Sequence, residues 1–432
     1  MSSSQEWKQY ETLLAKEAFT QEYLQSDNLS FLQKVFEKTQ DTQVMNTIVQ
    51  AMVDEYQFVA ARQFIETLSD TQRLQLEPSL HLKVAFNSFS LSSSSAFTTL
   101  SSLLQHYTEK KLITSDEAIW YEGLLALMER EYEHFFQLSL SFQNASYKQF
   151  ASKLTTFKTQ IAHQIDMPAY YFDTLVAVEL FNQGYFQIAK VLALYAMTQD
   201  KSYILPYQLL AYANFLTNSW DAAVEYLTTL LSLDPAHQEK YDFLIGIAYY
   251  RNQKYEASVL KLSQVKGEEY RLDVERYLVL NYVKLRQPIK LLSTWQKILG
   301  FNQLKKSDFF TYFYEVFFVP YRQGEEYTRY AQNPQLAQQY VQVCNQLFTN
   351  DAVCAYGQVG IVLAKGDLES GETMLLRLVE EYPQGYLFHA LGELYLQQGE
   401  KEKAKYYLLK SVSMSETAEE TWQVKNLLQK VM

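Results

Sequence analysis

The run Tyr386-Leu387-Phe388-His389-Ala390-Leu391-Gly392-Glu393-Leu394-Tyr395-Leu396-Gln397-Gln398-Gly399-Glu400-Lys401-Glu402-Lys403-Ala404-Lys405-Tyr406-Tyr407-Leu408-Leu409-Lys410-Ser411-Val412 decides how the chain is read. Apolar side chains recur at helical spacing on both sides of Gly399, which predicts two antiparallel helices. Gly399 ends the first, because glycine takes a positive φ without steric cost. Gly392 and Ala404 lack the bulk that would hold the helices apart, and Tyr395 and Leu408 fill the space beside them.

The same device recurs outward from this stretch. Ala189, Ala223, Ser258, Gly371 and Ala404 each stand near the start of a predicted second helix, the first four of them three residues after Phe186, Trp220, Tyr255 and Leu368. The first three small residues are spaced by 34 and 35 positions and the last two by 33. A period of that length belongs to stacked helical hairpins, each too small to bury its apolar face alone. Proline and glycine number only 8 and 13 in 432 residues, which suits an almost wholly helical chain. Residues 42–68 keep Phe58, Ala61, Ile65 and Leu68 in register, and residues 116–140 keep Trp120, Gly123 and Tyr132, so both read as degenerate hairpins.

The run from Tyr386 to Val412 resembles the tetratricopeptide repeat closely, and the units around Ala189, Ala223, Ser258 and Gly371 are similar to it. The resemblance implies an all-α solenoid of antiparallel hairpins wound as a right-handed superhelix. The expected organisation is capping helices over 1–38, degenerate hairpins over 39–167, three regular units over 168–266, an irregular helical joint over 267–350, two regular units over 351–413, and a capping helix over 414–432.

In tetratricopeptide proteins the first helix of each hairpin lines a concave face that commonly grips ligands. Carried across residue by residue, the inner positions are Tyr171, Thr174, Val178, Phe181 and Asn182, then Gln208, Tyr212 and Phe215, then Lys240, Phe243, Ile247, Tyr250 and Arg251. The last two units supply Tyr356, Gly360, Leu363, His389, Glu393 and Gln397. Chaperone-binding members resemble one another in a Lys, Arg and Asn clamp for a C-terminal carboxylate. Here the matching places are mostly Tyr, Phe, Gln and aliphatic residues, with Lys240 and Arg251 the nearby cations, so the face suits an apolar helix or aromatic-rich peptide. The alternative is that these aromatics fill a tight superhelix and touch no ligand.

The densest apolar feature is the segment Phe309 to Tyr321, with eight aromatics in thirteen residues. Phe310, Phe313, Tyr314, Phe317 and Tyr321 read as a helix buried between hairpins or as an aromatic docking patch.

Charge and chemistry exclude several classes. The net charge of -11 is spread, with 13 basic against 20 acidic residues over 1–166 and 25 against 29 over 167–432, so no basic stripe offers itself to nucleic acid or an anionic membrane. The N-terminus shows neither a basic region nor an apolar run of secretory type, and no apolar run reaches membrane-spanning length, so the expected location is cytoplasmic without membrane insertion.

Cys344 and Cys354 read as two partly buried apolar residues, with a redox pair or half a metal site as the alternative. The six histidines stand at no helical metal spacing from one another, and Glu129, Glu131, Glu133 and His134 read as a solvated helix surface. Phosphate loops, nucleophile elbows and dinucleotide fingerprints are missing from the sequence. The expectation is therefore a non-enzymatic scaffold or adaptor, without cofactor or metal, for a protein or peptide partner, with self-association into a homo-oligomer left open. A peptide-responsive regulator is the second reading, and an all-helical toroid enzyme, lacking identifiable paired carboxylates, the third.

Overall fold

The computed structural model describes residues 29–91, 95–162, 168–285, 334–347 and 351–414, with short pieces between 287 and 297 and between 424 and 431. Among these residues every regular element is helical. No described helix is long and apolar enough to cross a membrane. The aromatic run Phe309–Tyr321, with its proposed patch, lies outside the described residues.

The chain divides into two compact units. The second unit spans Gln40–Lys266 and the first combines residues 1–39 with 267–432. In chain order the helices are α1 (Leu29–Thr39), α2 (Thr42–Asp54), α3 (Phe58–Thr67), the short α4 (Asp70–Arg73), α5 (Pro78–Ser88), α6 (Ala96–Glu109), α7 (Ser115–Met128), α8 (Tyr132–Ser139) and α9 (Ala145–Ala162). They continue as α10 (Ala169–Asn182), α11 (Phe186–Gln199), α12 (Ile204–Leu216), α13 (Trp220–Leu233), α14 (Gln238–Arg251), α15 (Tyr255–Leu262) and α16 (Arg271–Lys284). After Gly300 come α17 (Pro334–Leu347), α18 (Ala352–Ala364), α19 (Leu368–Glu381), α20 (Gly385–Gln398) and α21 (Lys401–Met414). Within each unit most packing runs between sequence neighbours, the arrangement of an α-solenoid, and α11 in addition packs against α5 and α7 and reaches Tyr56 and Phe58 through Phe186.

The hairpins share one turn. A residue with positive φ stands two places before the second helix in seven of the described hairpins: Tyr56 (59°), Arg130 (64°), Gly184 (79°), Asn218 (58°), Gln253 (59°), Gly366 (82°) and Gly399 (78°). The residue that then opens the helix is Phe58, Tyr132, Phe186, Trp220, Tyr255 or Leu368 in the first six of these. The degenerate hairpins at 42–68 and 116–140 therefore turn as the regular ones do.

Three residues into those helices comes the small position, and Ala61, Ala189, Ala223, Ser258 and Ala404 are all 0% exposed. A Cβ added at Gly392 would stand 2.6 Å from Leu408 Cδ2 and 3.4 Å from the Leu408 backbone nitrogen. At Gly246 the same addition would stand 2.7 Å from Leu262 Cδ2, so the two hairpins repeat one contact at one spacing. In the hairpin of α7 and α8 the roles exchange: Phe135 occupies the small position of the second helix, and Gly123 of the first makes room for it, its absent Cβ lying 3.2 Å from Phe135 Cδ2. Close approach needs one small residue at the crossing, and either helix can supply it.

Cys344 of α17 and Cys354 of α18 form a disulfide with Cα atoms 5.6 Å apart, which corrects the reading of two separate buried thiols. Both are 0% exposed and belong to the apolar core of their unit. The two helices pack against each other, so these side chains, 10 residues apart in sequence, meet across the α17–α18 contact.

Gly392→Ala is expected to lower stability by about 1–3 kcal/mol, because the methyl group meets the packed Leu408 side chain. Gly360→Ala, where an added Cβ meets nothing within 4 Å, should be neutral or raise stability by up to about 1 kcal/mol. Denaturant titration of the two variants beside the parent chain distinguishes these opposite signs.

Candidate binding surface

The regular block of the Gln40–Lys266 unit begins with a cluster of three tyrosines. Tyr170 and Tyr171 of α10 stack with ring centroids 5.0 Å apart, and Tyr203, preceding α12, lies 4.7 Å from Tyr171. Tyr170 Oη donates to Asp200 Oδ2 at 3.1 Å. The Asp200 carboxyl is held below the usual carboxylate range, first by hydrogen bonds from Ser202. Tyr171 is half-buried.

Phe181, Phe215 and Tyr250 occupy equivalent places at the ends of α10, α12 and α14. Each packs against the aromatic residue opening its partner helix: Phe181 on Phe186 at 5.2 Å, Phe215 on Trp220 at 5.3 Å, and Tyr250 on Tyr255 at 5.8 Å. All three remain half-buried. Phe243 is likewise half-buried, and Arg251 and Lys240 are exposed.

A hydrogen-bonded chain ties α12 to α14. Gln208 Nε2 donates to Tyr241 Oη at 2.9 Å, and Tyr241 Oη donates to Asp234 Oδ2 at 2.6 Å. His237 Nδ1 stands 2.9 Å from the same carboxylate. Burial, followed by the Asp234 carboxylate, pushes Tyr241 up to about 12, and the phenol holds Asp234 below its ordinary range. Gln208 thus spends its amide within the scaffold. Tyr212 differs: the Lys240 ammonium sits 5.2 Å from its ring centroid, and its buried Oη has no hydrogen-bond partner among the described residues.

Of the other inner positions, Thr174 is 0%, Ile247 8% and Leu363 3% exposed, which places them among core contacts. In the last block Tyr356 is 8% and His389 7% exposed; the Tyr356 ring lies 5.6 Å from that of Tyr386.

The sequence reading passed over two charged residues. Arg130 stands between glutamates that are indeed exposed, but it turns inward: Nε donates to Asp173 Oδ1 at 2.8 Å and Nη2 to Oδ2 at 3.2 Å, with the guanidinium 3.5 Å from the Tyr195 ring centroid. Tyr132 Oη donates to the same carboxylate, and Asp173 is 0% exposed. This pair fastens the α7–α8 hairpin to α10. Lys190 of α11 is 5% exposed, and its Nζ donates to Asn214 Oδ1 of α12 at 3.2 Å. A lysine on a predicted second helix reads from sequence as surface, so only packing reveals it as buried. Among the described residues, no group of three or more His, Cys, Asp and Glu is placed to hold a metal ion.

A family model described as the tetratricopeptide repeat matches residues 386–417, the stretch that contains α20 and α21. That stretch is similar to a tetratricopeptide repeat, and it forms one helical hairpin of this α-solenoid. No curated protein matches it. Solved structures similar to it include a tetratricopeptide repeat protein from Parabacteroides merdae, at 16% identity over 72% of this chain and 99% of that one, with a TM-score of 0.30. Pseudomonas aeruginosa pilF is similar at 19% identity over 50% of this chain and 92% of that one, with a TM-score of 0.30. Yeast Tom70 is similar at 12% identity over 93% of this chain and 84% of that one, with a TM-score of 0.27.

The buried Lys190 gives the stacked hairpins a pH dependence. Burial lowers its pKa to about 8, so the cost of the buried ammonium is fully present below that pH. It fades as pH rises toward the ordinary lysine range, because there the unfolded chain still binds the proton and the folded chain does not. Lys190→Met should therefore raise stability by about 1–3 kcal/mol near pH 7, with the advantage shrinking toward about pH 10, as thermal melts across that range would record.

Proposed function

We propose that this chain is a non-catalytic scaffold or adaptor that holds a protein or peptide partner against the face made by α10, α12 and α14. The observation that carries the reading is the row of half-buried aromatics on successive first helices, Tyr171, Phe181, Tyr212, Phe215, Phe243 and Tyr250. Phe181, Phe215 and Tyr250 are held against the aromatics that open their partner helices and stay half-buried, so little side-chain freedom is lost when a partner covers such rings. The unsatisfied Tyr212 Oη supports the same reading, since a partner's backbone carbonyl or amide could supply the missing hydrogen bond. Lys240 and Arg251 add a cationic rim to one end of the face. A placement in the cytoplasm, read from the sequence, requires the Cys344–Cys354 bond to be reduced there, because thiols in that compartment are kept reduced.

The triple variant Tyr212→Ala, Phe243→Ala, Tyr250→Ala, used as bait beside the parent chain in affinity purification from the native host, tests the proposal. A partner retained by the parent should fall by about a hundredfold in affinity for the variant, as expected when central aromatic anchors are removed. Undiminished binding by a variant that keeps its helical circular dichroism would remove this face from consideration.

A further inference from the structure

We propose that the last two hairpins carry a pocket at Gly360 and His389 that takes a cationic side chain, the lysine or arginine of a bound peptide. The proposal rests on the reading that partner segments lie across the first helices, and adds to it a chemistry and a place.

Gly360 lies within α18, and a Cβ built there meets nothing within 4 Å, whereas one at Gly392 meets a packed leucine. Gly360 therefore opens onto free space among the described residues instead of accommodating a helix crossing. The helices α18 and α20 each lead a hairpin and run in the same direction. The contact of Tyr356 with Tyr386 sets their register. One turn beyond those tyrosines stand Gly360 on one helix and His389 on the other.

The polar groups here have bonding capacity left over. His389 is 7% exposed, yet its Nε2 makes no hydrogen bond among the described residues and stands 3.6 Å from Glu393 Oε1. Tyr386 Oη is also buried without a partner. Buried polar atoms in folded proteins are almost always satisfied, so two unsatisfied ones on a single helix face beside an opening point to a ligand.

The charge selects its kind. Among the described residues, the basic side chain within 4 Å of the partly exposed Glu393 carboxylate is the His389 imidazole, not a lysine or arginine. An anionic ligand would meet this carboxylate at close range, and an apolar side chain would leave all three groups uncovered. An ammonium or guanidinium can donate to Glu393 and to the neighbouring His389 Nε2 while its stem crosses the tyrosine rings.

A random peptide library displayed on phage and panned on the full chain tests the inference. The expected result is enrichment of peptides with lysine or arginine at one fixed position. A synthetic peptide of that sequence should bind about tenfold more tightly than its norleucine counterpart. Glu393→Gln and Gly360→Leu should each erase that preference, and Gly360→Leu should melt no lower than the parent because it fills open space. Enriched peptides without a basic position, or a lysine preference intact in both variants, would overturn the pocket while leaving the broader reading standing. Absence of any enrichment would overturn both.

Discussion

The structure depends on the closeness with which two antiparallel helices approach at one small residue. Ala189, Ala223, Ser258 and Ala404 are fully buried at that crossing, and Leu262 and Leu408 lie against Gly246 and Gly392 of the facing helices. A methyl group more at such a place pushes the pair apart, and the displacement passes to the next hairpin because each rests on the one before. The shared left-handed turn serves the same constraint. It brings the opening aromatic of the second helix to a fixed position, where Phe186, Trp220 and Tyr255 meet Phe181, Phe215 and Tyr250. The aromatic surface proposed to hold a partner is thus a by-product of how the hairpins close.

Several polar contacts join neighbouring hairpins. Arg130 reaches the buried Asp173 from a neighbouring hairpin, Gln208 reaches Tyr241, and Lys190 reaches Asn214. A buried carboxylate with a bidentate guanidinium and a phenol fixes one relative placement of its helices, since any slippage strands a charge. Lys190 has no such anion among its described contacts, which is why its ammonium weakens the fold at neutral pH.

Much of the fold was legible in the sequence because steric exclusion is periodic. Small residues at intervals of 33 to 35 positions announced the hairpins, and Gly399 announced its own turn. The α7–α8 hairpin looked degenerate because its small residue is Gly123 on the first helix, a swap that a motif tied to the second helix does not register. The bonded pair was only the alternative reading of Cys344 and Cys354, because spacing alone cannot tell two buried thiols from two that face each other across a helix contact. Arg130 hid among glutamates, and its partner lies 43 positions away. For the candidate surface, repeat register identified which helix face each aromatic occupies. It did not separate the core-bound Thr174, Ile247 and Leu363 from the half-exposed Tyr212 and Phe243, because burial depends on what the next hairpin brings.

If stability resides in neighbour-to-neighbour crossings, a lesion at one crossing should spread only a short way. Hydrogen exchange read by mass spectrometry on Ala223→Leu tests this most directly, since Ala223 is 0% exposed on α13. The account predicts faster exchange in α12, α13 and α14, fading to the parent rate by α2. Uniform acceleration across Gln40–Lys266, or none at all, would contradict it.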